Sequence, residues 1–148
     1  MDATPERHTR NSRWSREPVI GRDGATVAVY PTDRDMEIFE LLSRFRYLPA
    51  DYIHAFVGGN AKALSHRLNL LSRKPNLYLA RPHQQRQCAD ANYRSLIYEL
   101  DERGARALRE RGVAVSANSH RRNFFHELLI AQITASIALG TRESSGVR

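Results

Sequence analysis

The chain has 148 residues, 41% hydrophobic and 26% charged, the size and balance of one globular domain able to bury a core of its own. A net charge of +7 at pH 7 favours a polyanionic partner. The single cysteine, Cys88, excludes an intrachain disulfide and suits a reduced, cytoplasmic compartment.

Residues 1–18 are polar and Arg-rich and read as a disordered basic arm. Arg7, Arg10, Arg13 and Arg16, at steps of three, could track a nucleic-acid groove. Residues 19–20 and 26–30 flank Gly21 to Gly24 as a hairpin or extended lead-in. From Pro31 the pattern turns helical. Thr32 can cap, Asp33 and Asp35 suit the first turn, and Ile38, Phe39, Leu41, Leu42 and Phe45 share one arc. Tyr47-Leu48-Pro49 ends this helix and starts a short second one, with Pro49 at its first-turn position and Tyr52, Ile53 and Phe56 on its apolar side.

Gly58-Gly59-Asn60 is a turn, and residues 61–72 form a third helix. Ala61, Leu64, Leu68 and Leu71 fall on its apolar arc; Lys62, Ser65, His66, Asn69 and Arg73 fall opposite. Arg67 projects near the apolar side and is expected to pair with an acid of the first helix or to snorkel. Pro75 limits the helix. Residues 76–80 and 94–100 read as two strands joined by a basic loop. Asp101 opens a fourth helix that Gly112 ends, and residues 113–119 read as a linker. A long fifth helix, residues 121–139, stops at Gly140 ahead of a flexible tail, 141–148.

The charge is not spread evenly. Residues 60–94 hold seven basic groups against one acid, Asp90, nearly all of the net excess, as a binding face would. The order of elements is that of an α+β winged helix-turn-helix domain, residues 19–112, with an additional long C-terminal helix, residues 119–140. A major groove about 12 Å wide admits one helix, which must keep an apolar side for its domain and a polar side for base edges. The third helix meets both needs. Its DNA contacts would come from Lys62, Ser65, His66, Asn69 and Arg73, with Lys74 and the wing residues Arg81, Arg86 and Arg94 on phosphates or in the minor groove.

The last helix is apolar on two sides, Phe124, Leu128, Ala131, Ala135, Ala138 and Leu139 against Leu129, Ile130, Ile133 and Ile137, and must bury both. One side can pack on the domain; the other predicts a homodimer. The interface set is Phe124, Phe125, Leu128, Leu129, Ile130, Ile133 and Ile137. Its apolar run of about 16 residues is short for a bilayer, so no membrane association is expected. The histidines (His54, His66, His83, His120, His126) and Cys88 lack metal-ligand spacing. No metal, cofactor or enzymatic centre is expected.

The stretch PTDRDMEIFELLSRFRYLPADYIHAFVGGNAKALSHRLNLLSRKPNLY, followed by YELDERGARAL, resembles the winged-helix part of replication-relaxation proteins of plasmids, phages and integrative elements. It is less closely similar to MarR-type and PadR-type regulators. Thr32, Asp35, Leu42, Tyr98, Leu100, Gly104 and Leu108 carry the match, and the helix containing His126-Glu-Leu-Leu adds to it. The resemblance spans about half the chain and its motifs are structural. The departures are an Arg-poor recognition helix and an altered hinge at residues 70–77. The resemblance implies a DNA-binding protein of a mobile element. A transcriptional regulator is the first expectation, a replication or mobilisation accessory protein the second, and a protein-interaction module or phage-encoded inhibitor the third.

Overall fold

The computed structural model describes residues 13–91, 94–115 and 123–146. Helix α1 (Asp33–Phe45) starts on a reciprocal cap: the Thr32 hydroxyl accepts from the Asp35 amide, and the Asp35 carboxylate accepts from the Thr32 amide at 2.9 Å. Each satisfies a donor that the helix start would otherwise leave open. Met36, Ile38, Phe39, Leu42 and Phe45 recur at helical spacing and are the buried apolar face.

Strand β1 (Leu48–Pro49) follows, then helix α2 (Ala50–Val57). Pro49 stands at the N-cap, not in the first turn as expected. Its φ of −63° and ψ of 151° are extended values that a proline adopts without strain. Gly58 and Gly59, with φ of 70° and 80°, turn the chain through a region that favours glycine. Helix α3 (Ala61–Leu71) then begins with the Asn60 carboxamide accepting from the Ala63 amide at 2.9 Å.

Strands β2 (Leu79–Ala80) and β3 (Ile97–Leu100) form an antiparallel hairpin, and β1 adds to the other edge of β3 in the order β1-β3-β2. Leu48 pairs with Tyr98, and Leu79 with Leu100. Both hairpin strands are shorter than the sequence suggests, and β1 is an addition. Two residues are too few to show the alternation by which a strand is recognised. The loop between β2 and β3 is tied to β3 near its start. It contains a 3-10 turn (His83–Gln87) whose buried Gln85 acts as a surrogate strand. Its amide donates to the Ile97 carbonyl at 3.0 Å and accepts from the Ile97 amide at 2.9 Å.

Helix α4 (Glu102–Glu110), capped by Asp101, packs so close to the hairpin that Gly104 has no room for a side chain. A Cβ there would run into the Tyr78 carbonyl oxygen and Leu100 Cδ1. Helix α5 (Phe124–Gly146) lies over α2 and the sheet. One core joins α1, α3, the hairpin and α4 through residues such as Phe39, Leu68, Leu79 and Leu108, each fully buried, and extends to Ala131 and Ala135 of α5. The chain is thus a mixed α+β fold of five α-helices and a small antiparallel sheet among the described residues.

Two boundaries correct the sequence reading. Gly140 does not end the last helix, which continues to Gly146 through the expected tail. A glycine inside a helix costs about 1 kcal/mol relative to alanine. Against that cost, the Thr141 hydroxyl donates to the Ile137 carbonyl at 2.9 Å and Arg142 to the Phe56 carbonyl at 2.7 Å. Residues 13–18, expected within a disordered arm, are held by the hydrogen bonds described below. Arg7, Arg10 and His120 lie outside the described residues.

Candidate nucleic-acid interface

Helix α3 is oriented by its leucines. Leu64, Leu68 and Leu71 are buried as the periodicity requires, and Leu70, unforeseen, is buried as well; Ala61 stays exposed at the first turn. Arg67 fixes the rotation. Its Nη2 lies 2.5 Å from Oδ2 of Asp35, a carboxylate only 1% exposed, and its Nε donates to the same group at 3.1 Å. That hydrogen bond holds the Arg67 guanidinium above the ordinary arginine value, so Arg67 belongs to the scaffold.

The opposite side of α3 presents Lys62, Ser65 and His66, all exposed, with Asn69 and Arg73 partly covered. Arg73 Nε donates to Oδ1 of Asn69 at 2.8 Å. The Asn69 Oδ1 keeps a second lone pair beside the one that Arg73 occupies, as the two-pronged adenine contact expected of this residue requires.

Beyond Arg73, Lys74, Arg86 and Arg94 are exposed, whereas Arg81 is half-buried. Arg73 and Arg81, with Arg94 and Arg13, surround a cleft of about 500 Å³ between α3, the hairpin and residues 13–17, floored by Ala50, Leu96 and Tyr98. No carboxylate lines it among the described residues. Arg81 is half-buried and donates to the carbonyls of Arg13, at 2.5 Å, and Ser15. Burial lowers the pKa of its guanidinium; the Tyr98 phenol offsets part of this, and Arg73, Arg16 and Arg86 add to it. Burial also lowers Arg13 and raises the Tyr98 phenol, which stays protonated at neutral pH.

Residues 13–17 form a strap over this region. Arg86 donates to the Trp14 carbonyl at 3.3 Å and lies on the Trp14 ring, as Arg13 does. The Lys74 amide donates to the Arg16 carbonyl at 2.8 Å, and Lys74 Nζ is 3.8 Å from Glu17. Arg16 pairs with Asp101 at 2.6 Å. Arg94 pairs with Asp90 at 2.7 Å on the surface, and that contact raises its pKa. Of the three residues expected to contact DNA from the wing, Arg86 and Arg94 are thus exposed and Arg81 is half-buried. Backbone carbonyls of the strap cap two of the three guanidiniums, those of Arg81 and Arg86.

The α5 set is corrected. Phe124 and Leu128 are buried within the chain, where they pack with Tyr47 and Ile97. Phe125, Leu129, Ile130, Ile133 and Ile137 are exposed, from 42% to 64%. At 23 residues the helix is longer than its sequence suggests. Phe124–Glu143 is the one stretch among the described residues long and apolar enough to cross a membrane, though its Ala131 and Ala135 belong to the core. Among the described residues no group of His, Cys, Asp and Glu could hold a metal ion. The chain matches no family model, no curated protein and no solved structure.

Proposed function

We propose that the chain is a winged helix-turn-helix protein that binds duplex DNA, with α3 as the reading helix, and acts as a transcriptional regulator of a mobile element. The observation that carries this reading is the exposed polar side of α3, flanked by a cleft with four arginines and no carboxylate among the described residues. A helix seated by leucines on one side and offering Lys62, Ser65, His66 and Asn69 on the other meets the demands of the major groove. The positive potential beside it suits phosphates. The β2–β3 hairpin serves as the wing, and its loop approaches DNA together with the strap.

A salt titration of binding to random duplex DNA tests the reading. Affinity should fall steeply with salt, with a log–log slope of about −0.9 for each phosphate neutralised; no binding at low salt overturns it. Replacing Lys62, His66 and Asn69 together by alanine should erase sequence preference in a binding-site selection. An unchanged preferred site would show that α3 is not the reader.

The exposed stripe of α5 favours a homodimer that pairs two reading helices. Sedimentation should find a dimer that Leu129→Asp with Ile133→Asp converts to a folded monomer. A monomeric parent protein removes the dimer from the proposal.

A further inference from the structure

The cleft beside α3 is lined by four arginines and by no carboxylate among the described residues, and of the four Arg94 is paired with Asp90 outside the lining. Arg13, Arg73, Arg81 and Arg94 meet around about 500 Å³ of space, a volume usual for small-ligand pockets. Carbonyls of the strap satisfy some of the N–H groups of Arg81, yet a carbonyl dipole does not cancel a guanidinium's charge. Nε of Arg13 and Nε of Arg81 are buried with no hydrogen-bond acceptor among the described residues. A buried donor without a partner is costly, so these guanidiniums gain from any acceptor that their outward N–H groups can reach.

We propose that this cleft is a phosphate-binding pocket, in which Arg73, Arg81 and Arg13 converge on one phosphoryl group. Three features support a phosphoryl group over a carboxylate. Several planar donor forks approach from different elements, which suits an anion with three or four equivalent oxygens. Ser65 and Ser95 add hydroxyl donors at the rim, and the protonated Tyr98 offers another donor below. Ala50 and Leu96 give the floor apolar surface against which charge-assisted hydrogen bonds strengthen. The phosphoryl group has two possible sources, a nucleotide free in solution or the DNA backbone; only the second rests on the function proposed above.

The full chain is titrated calorimetrically with inorganic pyrophosphate at constant ionic strength, with chloride as the blank. Saturable binding of one ion per chain is expected. Arg81→Gln should weaken it by about tenfold to a hundredfold, the scale of one charge-assisted hydrogen bond. Arg106→Gln, an equal loss of charge at an exposed position of α4, should change it by less than about twofold. If Arg81→Gln proves unfolded by its thermal melt, Arg73→Gln replaces it. Nε–Hε signals of the parent protein give a second readout, since pyrophosphate should shift those of Arg13 and Arg81.

No saturable binding, or equal losses in Arg81→Gln and Arg106→Gln, overturns the inference. Titration with dAMP and competition of pyrophosphate against a duplex separate the sources. Competition, with duplex affinity lost in Arg81→Gln, assigns the pocket to a DNA phosphate. Binding of dAMP with duplex affinity unchanged assigns it to a free nucleotide. Salt-sensitive duplex binding without pyrophosphate binding overturns the pocket and leaves the DNA reading standing. Pyrophosphate binding without duplex binding does the reverse.

Discussion

Replacing Asp35 by alanine tests whether the seating of α3 depends on the contact across to α1. The carboxylate serves two ends. It accepts the Thr32 amide as half of the reciprocal cap, and it takes Nε and Nη2 of Arg67. Losing the cap component costs about 1 kcal/mol. Removing one partner of a fully buried ion pair costs about 3–5 kcal/mol. The Arg67 side chain keeps 28% of its exposure and one further acceptor, the Tyr30 carbonyl at 3.2 Å, so water and that carbonyl recover much of this, leaving about 1–2 kcal/mol. The sum is about 2–3 kcal/mol, which lowers the urea midpoint by about 1–2 M for a chain of this size. Urea denaturation followed by circular dichroism measures it, and Arg67→Met completes a double-mutant cycle with an expected coupling of about 1–2 kcal/mol. A loss below about 0.5 kcal/mol in Asp35→Ala, or an additive cycle, would refute the assignment of Arg67 to the scaffold. In the folded Arg67→Met protein, duplex affinity and its salt slope should equal those of the parent.

Three further substitutions probe the hairpin and its packing. Gly104→Ala puts a methyl group into the Tyr78 carbonyl and Leu100 and should destabilise by about 2 kcal/mol or more through forced separation of α4 from the sheet; a thermal melt within a degree of the parent would contradict the close approach. Gln85→Ala strips Ile97 of both its hydrogen bonds to this side chain and should cost about 2 kcal/mol, with the Ile97 amide losing protection in hydrogen exchange. Burial, with a smaller push from Asp101, raises the pKa of Glu99 against the opposing pull of Arg46 and Arg16. The folded state thus holds that proton more tightly than the unfolded chain, and stability falls as pH rises from the unfolded value through the raised folded one. Glu99→Gln should flatten this part of the stability–pH curve and raise stability at neutral pH. An unchanged curve would show that Glu99 does not contribute.

What could be read from the sequence was local and apolar. Helix α1 is defined by a cap and a 3.6-residue period in the same dozen residues, and the leucine arc of α3 is equally self-contained, so both appear in the chain at the places the pattern gives. The two apolar stripes of α5 also followed from angle alone, although which of them the chain itself covers did not. What could not be read depended on polar groups acting at a distance. Asn76, 2% exposed, holds the lead-in segment to α3 through the carbonyls of Val27 and Leu70 and the amide of Val29. Nothing in an Asn after a proline announces that role. Gln85 sits in a run of polar residues that reads as solvated loop. The strap gave only Trp14 as a signal, because its ordering rests on backbone carbonyls, which every sequence possesses.

The basic residues show the same division most sharply. Their number between residues 60 and 94 was a property of the sequence, but which of them are covered depends on distant partners: Asp35 for Arg67 and the strap carbonyls for Arg81. A projecting loop of arginines attracts any polyanion and discriminates little, since surface charge acts at long range and is screened by salt. Arginines gathered around a cleft select by size and by the number of oxygen atoms offered, because each guanidinium must be desolvated to enter. Residues 13–17 belong to that selection: the strap supplies Arg13 to the cleft and carbonyls to Arg81 and Arg86. Removing it would uncap Arg81 and Arg86, raising non-specific attraction while dismantling one wall of the pocket.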